Sequence, residues 1–364
     1  MQVVKALVVD DSAIYRMLVN NALSAIPGVT VVARSRDGKE AIEAIRAKQP
    51  DFVILDVEMP VMDGLQALRE IGRLAQTESV FKNVKVVMLS TLTKEGTDTT
   101  IQCLNEGAIE CIPKPMENDV EKNQEILTNQ LKQTVDLVRM QMQCHPIAGA
   151  QRVEPLPRLA VENLTSKPSL KGMRQKSQVV LIGVSTGGPA ALSAMLPELS
   201  KKLNLPILII QHMPPGFTKS LAESLAKKCR HKVVEATHGE LVMDDTIYVA
   251  PGGKHMIVVN SGMSKKINLN EAPTENGCRP SVDVLFRSAA MAYGGKLTAV
   301  ILTGMGSDGT LGAKPLHEMG AYVIAQDKES SVVWGMPGSA VEAGVVDEVV
   351  SLDGVPSAVL NAVG

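Results

Sequence analysis

Along the chain, short β-branched and aliphatic runs alternate with stretches in which apolar positions recur every three or four residues. Between Lys5 and Met116, residues 6–9, 29–33, 52–55, 84–89 and 109–112 read as strands separated by helices. Parallel strands need a crossover between them, so this half is expected to form a doubly wound five-stranded sheet with its functional crevice at the carboxyl ends of the strands. Apolar Val120, Leu127, Leu131, Val135, Val138 and Met142 then recur at helical spacing and predict a long amphipathic helix. From Cys144 to about Lys176 the pattern dissolves. Pro146, Gly149, Pro155, Pro157, Pro168 and Gly172, with basic residues in excess, mark an exposed connector. A second alternation follows, with strands at 179–184, 206–210, 247–250, 256–260, 299–302 and 322–325 and helical patterns at 218–228, 281–292 and 309–319. Some antiparallel content is expected near 249–270. The organisation is therefore two α/β domains, 1–120 and 177–364, with a helix and linker over 121–176.

A length of 364 residues agrees with two domains. Hydrophobic residues at 45% and charged residues at 21% exclude a disordered or fibrous chain. Aromatic residues are only 2%, so Val, Ile, Leu, Ala and the 18 Met must fill the interior. A net charge of −2 offers no attraction to phosphate backbones, and few aromatics leave no base-stacking platform, so nucleic acid is not an expected partner. Cys103, Cys111, Cys144, Cys229 and Cys278 are odd in number and never spaced C-x-x-C, which argues against a disulfide frame or a zinc site and fits a reduced, cytoplasmic setting. No apolar stretch is long enough to span a bilayer, so the chain is not expected to be membrane-inserted.

In the first half, Asp10 and Asp11 follow the first strand and Asp56 ends the third, which gathers three carboxylates at one sheet edge. Clustered carboxylates repel, and a hard divalent cation such as Mg²⁺ relieves them. Ser90 follows the fourth strand and Lys114-Pro115 the fifth; Met59-Pro60 and Asp63-Gly64 lie behind Asp56. This set resembles the response-regulator receiver domain, which implies a flavodoxin-like fold. By that resemblance Asp56 is the phosphoacceptor toward a histidine kinase, Asp10, Asp11 and Asp56 hold Mg²⁺, Lys114 pairs with the phosphoryl oxygens, and Ser90 bonds the phosphoryl group in the active state. Cys111 stands where many receivers place a switching aromatic.

In the second half, Gly183-Val184-Ser185-Thr186-Gly187-Gly188-Pro189 follows a strand and opens a helix. Two readings are open. A nucleotide site would use the glycines to admit a pyrophosphate, but their spacing is not G-x-G-x-x-G. A hydrolase would use Ser185 on a sharp turn, with nearby N–H groups facing an oxyanion. That reading needs a base and a carboxylate on neighbouring strand ends. His212 follows the strand at 206–210, and Asp308 lies in Gly304-Met305-Gly306-Ser307-Asp308-Gly309. The order Ser, His, Asp differs from the Ser, Asp, His of α/β-hydrolases, so a Rossmann-like sheet is expected. His231, His238, His255, His145 and His317 have no matched partner and read as surface or turn residues. Arg279 is open to an acidic substrate or a structural ion pair.

The segments 183–189, 211–218, 250–256, 279–286, 304–309 and 335–338 together resemble the catalytic domain of the chemotaxis protein-glutamate methylesterases, the CheB family. The resemblance implies Ser185 as nucleophile, His212 as base and then acid, Asp308 as its orienter, Thr186 assisting the histidine, and the Met305 N–H as an oxyanion donor. It implies phosphorylation-regulated hydrolysis of glutamyl methyl esters on methyl-accepting chemoreceptors, deamidation of glutamine, and no cofactor for the hydrolase. Two alternatives are weaker. A DNA-binding output would need a basic helix-turn-helix, which is not found after Lys114. A nicotinamide enzyme would need an acidic residue about 20 positions beyond the glycine turn; Glu198 is nearest and falls before the next strand.

Overall fold

A computed structural model describes residues 3–143 and 175–364. The expected connector, apart from its last two positions, and His145 lie outside the described residues. The first half runs β1 (Val4–Val9), α1 (Ala13–Ser24), β2 (Val29–Ser35), α2 (Gly38–Lys48), β3 (Phe52–Asp56), α3 (Gly64–Leu74), a single-turn α4 (Ser79–Lys82), β4 (Lys85–Ser90), α5 (Lys94–Asn105), β5 (Glu110–Pro113) and α6 (Val120–Gln143). Its strands form one parallel sheet in the order β2-β1-β3-β4-β5. Every residue of β3 is buried, which is why its sequence is a continuous apolar run rather than an alternation. Helices start where short polar side chains satisfy free N–H groups: Ser12 for α1, Asp37 for α2, Thr93 for α5, and a reciprocal Asp63–Gln66 capping box for α3. The long α6 buries Leu127, Leu131, Val135 and Val138 and packs along α1.

The second half contains β6 (Val180–Val184), α7 (Gly188–Lys202), β7 (Ile207–Gln211), α8 (Phe217–Ala226), β8 (Lys232–Glu235), β9 (Thr246–Val249), β10 (His255–Ser261), β11 (Ser264–Asn270), α9 (Val282–Tyr293), β12 (Thr298–Ile301), α10 (Thr310–Glu318), β13 (Tyr322–Gln326), α11 (Met336–Glu342), β14 (Glu348–Val350) and α12 (Val355–Val363). Seven strands make a parallel sheet in the order β14-β13-β12-β6-β7-β9-β8. The antiparallel content is a separate hairpin of β10 and β11. Strand β6 enters at the centre, with later strands added to both sides, so the sheet's switch point lies beside its carboxyl end. All four phenylalanines, Phe52, Phe81, Phe217 and Phe286, are buried, so the few aromatics are spent on the two cores.

The halves meet through α5, which packs on α7 and α8. Thr97 and Ser220 share a hydroxyl hydrogen bond of 2.9 Å, and Ser193 Oγ donates to Asn105 Oδ1 at 2.7 Å. Among the described residues no helix is long and apolar enough to cross a membrane.

Gly183 sits in β6 against Val282, the first residue of α9, and a Cβ there would run into the valine methyls. Gly183→Ala is therefore expected to cost about 1–3 kcal/mol by overpacking. A urea titration of both proteins should show the lower midpoint with an unchanged slope; an unchanged midpoint would show that α9 yields freely.

Candidate active site and phosphoacceptor site

Ser185 and His212 directly follow β6 and β7, and Asp308 lies between β12 and α10, so neighbouring strands of one parallel sheet deliver all three to its carboxyl edge. His212 Nε2 is 2.8 Å from Asp308 Oδ2. Asp308 is buried and heavily bonded: Oδ2 accepts from Val282 N at 2.7 Å, and Oδ1 from Ser281 Oγ at 2.8 Å, Asn276 Nδ2 at 2.9 Å, and Asp283 N and Gly309 N at 3.1 Å each. Two of these donors are the first N–H groups of α9, where the helix dipole favours an anion. Burial would raise the Asp308 carboxyl, but the His212 bond and these donors outweigh it and hold it well below the usual carboxylate range. Asn276, in a left-handed conformation (φ 54°), also donates to Asp283 Oδ2 at 2.8 Å. Burial and the neighbouring Asp308 charge raise the Asp283 carboxyl, while the Gly312 N–H and Asn276 oppose the rise.

The Ser185 backbone is pinned by its N–H on Thr303 O at 3.0 Å and by Gln211 Nε2 donating to Ser185 O at 2.9 Å. The left-handed residue of the turn is Gly187 (φ 78°), the N-cap of α7, and not the serine, so the G-x-S-x-G match here is not the strained elbow that the motif describes. Gly304, the residue before Met305, lies so close that a Cβ there would strike the Ser185 side chain. Neither the Met305 nor the Thr186 N–H has an acceptor among the described residues.

Two details depart from the sequence expectation. Thr186 Oγ1 donates to Glu110 Oε2 at 3.3 Å rather than to His212, because β5 of the first half reaches into the site. Among the described residues no hydrogen bond joins Ser185 Oγ to His212; Nε2 is engaged by Asp308, and Nδ1 lies 3.6 Å from Cys278 Sγ. Burial disfavours the imidazolium, but Asp308 and Cys278 outweigh it and push His212 up to about 9. The pocket shared by Ser185, Thr186 and His212 is closed from the receiver side by Leu104, Ile109, Glu110 and Cys111 and has room of only about 20 Å³, enough for one water. Beside it a cleft of about 1160 Å³ runs between Met140 of α6 and the Met305 and Trp334 loops.

In the first half, ligand atoms of Asp10, Asp11 and Asp56 all lie within 4.8 Å of one another. Lys114 Nζ sits 2.9 Å from Asp10 Oδ2 and 2.8 Å from Asp56 Oδ2. Burial and the Asp10 charge push Asp56 up to about 6 despite Lys114. Ser90 is turned away from Asp56: its hydroxyl donates toward Gly96 O of α5 at 3.2 Å and accepts from Thr100 Oγ1 at 2.7 Å.

Asn276, Ser281, Gln211, Cys278 and Glu110 were not singled out from the sequence. Ser281 and Gln211 adjoin motif residues, and proximity to Arg279-Pro280 and His212 was the available signal. Glu110 had none, since its partner Thr186 lies 76 positions away. His255, in β10, is buried at 1% exposure rather than on the surface or in a turn, and His231, in the turn before β8, is buried at 3%. Arg279 serves structure, donating to the carbonyls of Glu271 and Ala272 at 2.9 and 3.1 Å. Glu198, which a nicotinamide site would need, lies exposed in α7 and pairs with Lys201 at 2.6 Å.

The CheB methylesterase family model matches residues 180–359, and the response regulator receiver domain model matches residues 6–124. A protein-glutamate methylesterase/protein-glutamine glutaminase of Desulfotalea psychrophila is 42% identical over 369 residues, covering 100% of this chain and 99% of that protein. The protein of the same name from Bacillus subtilis is 38% identical over 364 residues, covering 99% of this chain and 98% of its own. The crystal structure of the Thermotoga maritima CheB methylesterase catalytic domain is 42% identical, with a TM-score of 0.50, and spans 51% of this chain and 98% of its own. With a receiver fold ahead of a parallel-sheet catalytic domain and relatives matched end to end, the chain belongs to the CheB methylesterase family.

Proposed function

We propose that the protein hydrolyses glutamyl γ-methyl esters, and deamidates glutamines, on the cytoplasmic helices of chemoreceptors, using Ser185, His212 and Asp308 under control of phosphorylation at Asp56. The observation that carries the reading is the buried Asp308 carboxylate, clamped by the start of α9 and bonded to His212 one strand away from Ser185. A buried anion aimed at an imidazole favours the imidazolium that forms when histidine takes a proton from serine.

In the first step Ser185 Oγ bonds to the ester carbonyl carbon as His212 removes its proton. The Met305 and Thr186 N–H groups, lacking other acceptors, receive the oxyanion. Collapse breaks the bond to methoxide, which leaves as methanol with the proton from His212, and the γ-glutamyl group stays on Ser185. Water, deprotonated by His212, then releases the carboxylate. A glutamine follows the same course and loses ammonia. The receiver-covered arrangement is a resting state: the ring nitrogens face Asp308 and Cys278, and the base must present one to Ser185 for turnover.

Asp10, Asp11 and Asp56 fit a divalent cation, being three mutually close carboxylates of which Asp56 is pushed toward neutrality without one. Mg²⁺, when bound, would offset the charge of an incoming phosphoryl group. Asp56 takes that group from the phosphohistidine of a kinase, Lys114 pairs with its oxygens, and Ser90 leaves Gly96 O to bond it. Because α5 carries Gly96 and packs on α7 and α8, that move loosens the cover over Ser185. The neutral hydroxyl bonds at this interface suit a contact that must release.

Ser185→Ala and His212→Ala are each expected to lower methanol release from methylated receptor membranes by about 10⁴-fold or more, with no further loss in the double variant, while Asp308→Asn keeps part of the rate. Only neutral imidazole can act as base, so the activity of the unphosphorylated protein on a small ester should climb with pH through the His212 titration near 9. A folded Ser185→Ala protein with wild-type rate would refute the mechanism.

Phosphorylation by a small phosphodonor should need Mg²⁺ and be absent in Asp56→Asn. The same donor should raise methanol release by the full chain but leave residues 175–364 unchanged, and the shorter chain should outpace the unphosphorylated whole. Equal rates for the two would mean that the receiver does not cover the site.

A further inference from the structure

Among the described residues Glu110 is the one acidic side chain of the receiver that lines the pocket beside Ser185, and its surroundings are unusual for an interface carboxylate. It projects from β5 into the pocket lined by Ser185, Thr186 and His212. Its hydrogen-bond partner is the Thr186 hydroxyl, at 3.3 Å. Among the described residues no Lys or Arg forms an ion pair with it, although a part-buried carboxylate gains from a cation. Burial accordingly pushes its carboxyl up to about 7, with Thr186 and the His212 charge opposing the rise. A carboxylate that served only to join two domains would gain more from a basic partner. Other bonds across the interface, Thr97 with Ser220 and Ser193 with Asn105 on α5 and Gln141 Nε2 donating to Val332 O at 3.2 Å from α6, join the domains without it.

The groups around Glu110 are instead those of the reaction. A γ-carboxyl on two methylenes is the chemical product of glutamyl ester hydrolysis, and here one is seated against the residue next to the nucleophile and the imidazole beyond it. We propose that the Thr186 hydroxyl and the pocket it shares with Ser185 and His212 form the subsite that recognises the γ-carbonyl group of a glutamyl side chain, and that Glu110 fills this subsite as a tethered analogue of the product. The inference rests on the hydrolase reading above and adds the recognising residue and the occupant. The receiver then competes for the subsite itself, in addition to shielding it from a bulky substrate. A Glu side chain gives the fit its length; aspartate would fall one methylene short of Thr186.

The test uses the unphosphorylated full chain and an uncharged fluorophosphonate, with the labelled residue located by mass spectrometry. Glu110→Ala should label at Ser185 roughly tenfold faster than wild type, the effect of removing one hydrogen bond to a charged group. Ser193→Ala, which removes a different interface bond, measures the gain from loosening the interface alone and should label more slowly than Glu110→Ala, with no slowing by N-acetylglutamate. N-acetylglutamate should slow labelling of Glu110→Ala, more than N-acetylaspartate does, and should have little effect on wild type or on Glu110→Ala with Thr186→Val. An unchanged thermal midpoint checks that Glu110→Ala is folded. Labelling of Glu110→Ala at the wild-type rate, or a gain matched by Ser193→Ala and indifferent to N-acetylglutamate, would overturn the subsite. Label that misses Ser185 in every variant would instead refute the hydrolase reading, and the subsite with it.

Discussion

The catalytic half is organised around one buried charge. An ionised Asp308 enclosed by protein is tolerable only if its lone pairs are satisfied, and the first N–H groups of α9, Ser281, Asn276 and Gly309 do this. That requirement brings the start of α9 down onto the sheet, and glycines mark where it lands. A Cβ at Gly183 or Gly309 would strike Val282, and one at Gly312 would strike Phe286 and Asp283. The close packing of α9 and the position of His212 are thus two results of the same constraint. Destabilising the helix start disturbs the imidazole even where no side chain of the site is changed.

The receiver half meets a similar demand in a different way. Asp10 and Asp56 share a single buried cation, Lys114, which leaves Asp56 poorly neutralised and therefore receptive to further positive charge. One half satisfies its carboxylate fully and keeps it fixed, while the other leaves its carboxylates short of partners and can respond. Helix α5 lies between these sites, with Gly96 bonded to Ser90 near its start and Thr97 touching Ser220 across the interface. Gly96 and Thr97 are adjacent, so the Ser90 contact and the hydrolase contact share one turn of helix.

Much of this was legible in the sequence because parallel sheets put function at strand ends. Asp10, Asp56, Ser90, Ser185 and His212 each sit at or just after an apolar strand, so the periodicity placed them at strand ends. What escaped was long-range or weakly patterned. The edge strands β8 and β14 have four and three residues, and their burial is incomplete, so no apolar run announced them. Asn276 reaches Asp308 across 32 positions from an irregular loop. The engagement of Thr186 by Glu110 depends on how two domains meet, which no local pattern encodes. The burial of His255 in β10 and of His231 in the turn before β8 comes from tertiary packing, which no local periodicity encodes.

The aromatic poverty of the chain has an optical side. With one tryptophan in 364 residues, all indole emission arises from Trp334, whose Nε1–H bonds Gln326 O at 3.2 Å while its ring borders the cleft facing Met140 of the receiver-side helix. A spectroscopist therefore receives this molecule already labelled at the seam between its halves, with no dye to attach and no second indole to subtract.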